Sequence, residues 1–252
     1  MDVNGEDWII TKEEKDGKTI YNITMNGAVY NTSGKKYDMN KMVSQMKGQI
    51  ESVFGNAGEG IELNVNVNLR AVESLKDVSE SDHLFTVMGD KEYDERYDAK
   101  GELARADLGG LKVMIRASTM DKIMSGEDKT TLSHEVGHTA GLYHPDMTGP
   151  GNLQWVNTSD RNSYNNLMYP AYFSKKHLEN SNDGVGLNKG QIEAMYKNYG
   201  SGRINQMTQF EKKTIVTVVS TIPVVTRFTT RNINYSSQGY VNARDRLFGP
   251  KY

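Results

Sequence analysis

The stretch 133–145, Ser-His-Glu-Val-Gly-His-Thr-Ala-Gly-Leu-Tyr-His-Pro, constrains the fold of this chain more than any other. It places histidines at 134, 138 and 144 around a glutamate at 135. On a helix His134 and His138 stand one turn apart on one face, so both imidazoles can reach one point. If the helix ran on, His144 would sit roughly 15 Å along the axis from His134. Three ligand nitrogens must each come within about 2 Å of a shared zinc ion. A chain that brings His144 to the same ion therefore has to stop its helix and turn back. Gly141 is the residue suited to that turn, because glycine takes positive φ at little cost where a helix ends.

Three neutral imidazoles leave one tetrahedral position for water, the arrangement of a catalytic rather than a structural zinc. Glu135 cannot share the direction of its neighbour His134, which places it beside that water as a general base. In that role it takes the water proton and later passes it to the leaving amine. A lone H-E-x-x-H is as readily a solvated helix face; Gly141 and His144 at the required offsets weigh against that reading. Only five histidines occur in the chain. The other two, His83 and His177, have no partner at ligand spacing and read as ordinary strand or loop residues.

The full pattern H-E-x-x-H-x-x-G-x-x-H resembles that of the metzincin clan of zinc peptidases, and a second stretch agrees with it. Residues 166–172, Asn-Leu-Met-Tyr-Pro-Ala-Tyr, are similar to the clan's Met-turn in the L-M-Y-P-x-Y form of matrixins. The resemblance implies that Met168 lies beneath the zinc ligands and that Pro170 and Tyr172 wall the S1′ pocket. Residues 101–106, Gly-Glu-Leu-Ala-Arg-Ala, are similar to the matrixin G-x-L-A-x-A stretch. That likeness implies a sheet edge above the cleft, with Leu103, Ala104 and Ala106 binding an extended peptide as an added strand. The plain alternative is a short connecting strand. Pro145 follows the third histidine as in serralysin-type members, so the subfamily stays open. Some metzincins place a tyrosine two residues after the methionine; Pro170 stands there, and no catalytic tyrosine is assigned.

The expected fold class is α+β: a metzincin-like twisted mixed sheet with two backing helices, an irregular lower subdomain with the Met-turn, and a C-terminal helix. Periodicity fills in the elements. Lys18 to Asn31 reads as a strand, and Asp38 caps a helix running to Phe54, with Met39, Met42, Val43, Met46, Ile50 and Val53 on one face and Gly55 as its stop. Ile61, Leu63, Val65, Val67 and Leu69 alternate with polar residues as a strand with one buried face. His83 to Met88 is a further strand, halted at Gly89. The charged run 90–100 reads as a solvated loop; as a Ca2+ site it offers carboxylates without a ligand register. Leu111, Val113 and Ile115 form the last strand before the active helix, which starts between Ser125 and Thr130. Asn188 to Tyr199 is the final helix, with Asn188 and Gln191 as a capping pair and Ile192, Met195, Tyr196 and Tyr199 inward. The expected organisation is a lead-in over 1–17, a catalytic domain over 18–200, and an appendage over 201–252.

The functional expectation is a zinc-dependent endopeptidase that hydrolyses an extended protein or peptide substrate by Glu135-assisted attack of zinc-bound water. With 252 residues and a net charge of −2, the chain has no basic surplus to neutralise phosphates, which argues against a nucleic-acid partner. It has no cysteine, so neither a disulfide nor a thiol-dependent zymogen switch is available. The apolar stretch 214–226 is too short to span a bilayer and contains Pro223. No signal peptide is visible at the start.

The opening Asp2-Val3-Asn4-Gly5-Glu6-Asp7 resembles the D-x-N-G-x-D sequence that ends the repeat core of Bacteroidetes Rhs-type polymorphic toxins. That likeness implies delivery outside the producing cell and a cognate immunity or inhibitor protein. It also sets an alternative function: an effector acting through 201–252, with the protease site used for self-processing. A non-catalytic, zinc-stabilised fold is a third reading, disfavoured because such sites are normally closed by four protein ligands.

Overall fold

Strand β2 (Lys18–Asn31) is the axis of the molecule. Along one side it pairs in parallel with β3 (Ile61–Val72) from Thr19 to Tyr30. Along the other it pairs first antiparallel with β1 (Trp8–Lys15), then parallel with β4 (His83–Met88). The β1–β2 hairpin closes through Asp16 and Gly17, both at positive φ, as a two-residue turn with the twist of its strands requires. β6 (Lys112–Arg116) adds in parallel to β4, and β5 (Ala104–Ala106) adds antiparallel to β6, ending the sheet. The computed structural model describes residues 7–56, 61–80, 82–144, 166–169 and 185–205, which all fall within the compact unit Met1–Glu211.

Helices cover the sheet. α1 (Met39–Phe54) buries Met42, Met46, Ile50, Val53 and Phe54, the stripe its periodicity marks, and Asp38 caps it by accepting from the Lys41 amide. α4 (Thr131–Thr139) packs beside α1 and against β5 and β6, sinking Leu132 and Val136 into the same core. The α+β mixed sheet with α1 and α4 behind it is the architecture the sequence leads one to expect.

Three local expectations fail. The run expected as a solvated loop contains α2 (Asp90–Tyr97), pinned by a buried Tyr93 over Met88 and Met114 and laced by Glu92–Arg96 at 2.7 Å. One apolar anchor in eight residues leaves no periodicity to read. Its carboxylates are engaged with protein donors: Asp90 accepts from the Ser118 amide and Asp94 pairs with Arg116. Ala117–Ser125 is a further helix, α3, between β6 and α4. Met120 and Ile123 bury one side of it and Gly126, at φ 78°, ends it. α5 (Lys189–Gly200) has the expected Asn188/Gln191 capping box, but Tyr196 is not inward. It is 37% exposed and lies edge-on to Tyr21.

Packing also continues on both sides of the span 18–200. Trp8 is buried against Phe54 and His83, and Ile10 is buried below it. Beyond α5, Ile204 is buried, and the Asn205 side chain exchanges two bonds with the Trp8 backbone at 2.8 and 2.7 Å. The start of β1 is thereby tied to the residues that follow α5.

Candidate metal centre

Asp128 stands two residues before Thr130, the N-cap of α4. Its Oδ1 accepts from the amides of Thr130 and Thr131, satisfying two of the donors a helix start leaves over. α4 ends at Thr139, and Gly141 follows at φ 78°, the left-handed turn expected of it. A second reason reserves this position for glycine: a Cβ would lie 2.6 Å from Nδ2 of Asn198, whose amide also reaches the carbonyls of Ala140 and Gly141 at 3.3 and 3.4 Å. The turn carries His144 back over the helix.

The three histidines meet. Nε2 of His144 lies 3.1 Å from Nε2 of His134 and 3.1 Å from Nε2 of His138. The far ring nitrogens are committed to carbonyls: Nδ1–H of His134 donates to Leu167 at 2.7 Å, and Nδ1–H of His138 to Leu142 at 2.8 Å. Both rings therefore take the Nδ1–H tautomer and present lone pairs at Nε2. Burial, reinforced by the adjacent imidazoles, pushes His138 and His144 down to about 3, so both stay neutral. The lone pairs that His134 and His138 turn toward Nε2 of His144 form a donor set that one cation can share. Zinc–nitrogen bonds of about 2.0–2.1 Å at tetrahedral angles separate the nitrogens by about 3.3 Å. The cluster fits that ion in donor type, tautomer and spacing. Among the described residues it is the one group of three or more ligand-type side chains able to hold a metal.

Glu135 is buried on the same helix. Burial, with Glu102 adding repulsion, pushes its carboxyl up to about 8; the Ala106 backbone and Arg105 act in the opposite direction. The carboxylate thus adjoins β5, the terminal strand of the sheet. Ala104 and Ala106 are buried in that strand, while Leu103 precedes it with its carbonyl committed to the Arg116 amide and the Thr119 hydroxyl. The strand proper is Ala104–Ala106.

Met168 is fully buried under α4, so close that a Cβ on Gly137 would collide with its sulfur. Asn166 holds this turn, its Oδ1 accepting from the Met168 amide at 2.9 Å and from Gln191 Nε2 at 2.8 Å. Sequence reasoning missed Asn166, Gln191, Asn198 and the two carbonyls that orient the rings. Main-chain acceptors leave no residue-type signal; Gln191 was visible only as a cap. Pro170, Tyr172 and His177 lie outside the described residues, as do 1–6 of the opening stretch and 206–252.

The fold and the histidine cluster define an α+β domain with a candidate metal centre between α4 and the 166–169 turn. No family model matches the chain, and no curated protein matches it. Solved structures with some likeness include the archaemetzincins of Methanopyrus kandleri and Archaeoglobus fulgidus. The first has a TM-score of 0.38 and 15% identity over 70% of this chain and 96% of that one. The second has a TM-score of 0.35 and 16% identity over 68% and 99%. A chaperone–substrate complex gives a TM-score of 0.35 and 16% identity over 81% of this chain and 38% of that one.

Proposed function

We propose that this chain is a zinc-dependent endopeptidase. The observation that carries the reading is the convergence of three imidazole Nε2 atoms, two with their tautomers fixed by carbonyls, with the buried Glu135 one residue along the same helix. His134, His138 and His144 would hold the ion. Bound there, zinc would supply Lewis acidity toward a carbonyl oxygen and toward water.

The residues of the chain do the rest. Glu135 takes a proton from the water that adds to the scissile carbonyl carbon, and returns it to the amide nitrogen as the C–N bond breaks. Its burial raises proton affinity toward neutrality, which suits a group that must both accept and release a proton. The edge of β5 at Ala104–Ala106 would align an extended peptide by main-chain hydrogen bonds, which demands little of the peptide's sequence. Met168 packs beneath the helix that carries two ligands and fixes its height.

Peptide-library cleavage with and without a chelator tests this reading. Turnover that stops on chelation and returns with zinc supports it. Turnover indifferent to the chelator excludes it.

A further inference from the structure

At the side of β2 opposite β1 and β4, β3 is a terminal strand: among the described residues no other strand pairs with it. It is 12 residues long, about twice the usual strand, and contains no proline and no lysine, the residues that commonly blunt an edge. Its outward main-chain groups can be identified, because the Val67 amide donates to Glu51 of α1 at 3.0 Å instead of entering the ladder with β2. By the period of two, Ile61, Leu63, Val65, Leu69 and Ala71 turn their main-chain groups the same way.

The sequence of this edge, Ile-Glu-Leu-Asn-Val-Asn-Val-Asn-Leu-Arg-Ala, reads nearly the same in both directions about Asn66. We infer that β3 pairs antiparallel with β3 of a second copy of this chain, centred on Asn66, to form one continuous sheet. On the apolar face Val65 then meets Val67, Leu63 meets Leu69 and Ile61 meets Ala71. On the polar face Asn64 meets Asn68, Asn66 meets its own copy, and Glu62 meets Arg70 twice, once on each side of the axis.

Charge and the asparagines select this register. A pairing centred on Val65 would set Glu62 against Asn68, and one centred on Val67 would set Arg70 against Asn64; each loses both ion pairs. Arg70 already bonds Asp82 and the Asp77 carbonyl through Nη2, and its five-donor guanidinium has room for a second carboxylate. Asparagine is depleted in strands, yet three occupy alternate positions here. Within one chain Asn64 donates to Asn22 at 2.9 Å and Asn68 to Asn26 at 3.1 Å. The two-fold pairing joins these into rows across four strands, because directly opposed side chains on adjacent strands are within amide reach. Among the described residues, Glu51 is the side chain that accepts from an outward amide of this edge. On pairing, the Val67 amide donates to the Val65 carbonyl of the second copy instead of to Glu51, and Glu51 keeps Lys47, 3.4 Å away.

The absence of cysteine makes the register directly testable on the full chain. Opposed Cα atoms at a non-hydrogen-bonded antiparallel pair lie about 4.5 Å apart, within disulfide reach. Asn66→Cys should therefore cross-link two chains under mild oxidation. Asn68→Cys should not, since the two copies of residue 68 would stand about 13 Å apart. In sedimentation velocity the wild type should show a dimer that dissociates on dilution. Val65→Pro removes an outward amide that β2 does not use and should weaken the dimer by at least about tenfold, the effect of losing two backbone bonds. Glu62→Arg, at an exposed position, should weaken it without touching the core. Equal cross-linking at 66 and 68, or a Glu62→Arg dimer as tight as the wild type, overturns the pairing. So does a wild type that stays monomeric with no cross-link at 66, which assigns the edge to another occupant such as an extended peptide segment.

Discussion

The Nδ1–H of His134 donates to the carbonyl of Leu167 at 2.7 Å, and the next residue, Met168, packs its sulfur against Gly137 one turn along the same helix. Ring orientation and helix height are thus set by adjacent residues of one turn, and Asn166 holds that turn. Asn166→Ala would leave the Met168 amide and the Gln191 side chain without their shared acceptor, at a cost of about 1–3 kcal/mol. Loss of ring support should also lower zinc affinity by about 10–100-fold. Zinc titration by calorimetry checks this. Unchanged affinity in a folded variant would remove Asn166 from the support of the site.

Gly137 makes a prediction whose sign depends on its neighbour. Alanine is worth about 1 kcal/mol more than glycine inside a helix, but here its Cβ meets the Met168 sulfur. Gly137→Ala should destabilise the wild type by about 1–3 kcal/mol, as overpacking does. In a Met168→Ala background the same change should be neutral or stabilising. Denaturant unfolding of the four proteins of the double-mutant cycle measures the difference, and additive effects would contradict the packing account.

His83 makes stability pH-dependent. It is fully buried in β4, edge-on to Trp8 at 5.5 Å and tilted on Phe85 at 6.4 Å. Burial lowers it from 6.5 to about 4, with the Asn26 backbone acting in the opposite direction. The unfolded chain therefore binds a proton between about pH 6.5 and 4 that the fold excludes, and stability falls as pH falls through that window. The contribution is up to about 1.4 kcal/mol per pH unit. Unfolding curves for His83→Leu should be flatter than wild type by that slope. Parallel curves would mean that His83 is charged in the fold.

Trp8 tests where the domain begins. Its indole Nε1 donates to Thr139 at the end of α4 at 3.2 Å, its backbone is clasped by Asn205, and its ring is buried. Trp8→Ala should cost about 3–5 kcal/mol in chemical denaturation. A cost below about 1 kcal/mol would make this residue part of a dispensable lead-in.

What was legible in the sequence followed from periodicity and from side chains with a fixed role. β2, α1 and its caps, β4 and α5 with its capping box lie where apolar spacing and cap residues put them. The meeting of His134, His138 and His144 follows from helical geometry plus one glycine. The elements that escaped are short or held by partners far away in sequence. α2 rests on the buried Tyr93 with Tyr97 partly buried beside it, and α3 has two large buried anchors, Met120 and Ile123. The carbonyls of Leu142 and Leu167 that orient the rings of His138 and His134 escaped because any residue type can supply them.

Glu135 is the residue on which the proposed chemistry turns. Its carboxylate is proposed to move the proton while the three histidines hold the metal, so the two functions should separate in one variant. Glu135→Ala should retain equimolar zinc and the wild-type unfolding transition. Its cleavage of a peptide that the wild type cuts should fall by about 10²–10⁴-fold. An undiminished cleavage rate in the zinc-loaded variant, or loss of zinc together with the glutamate, would contradict the assignment.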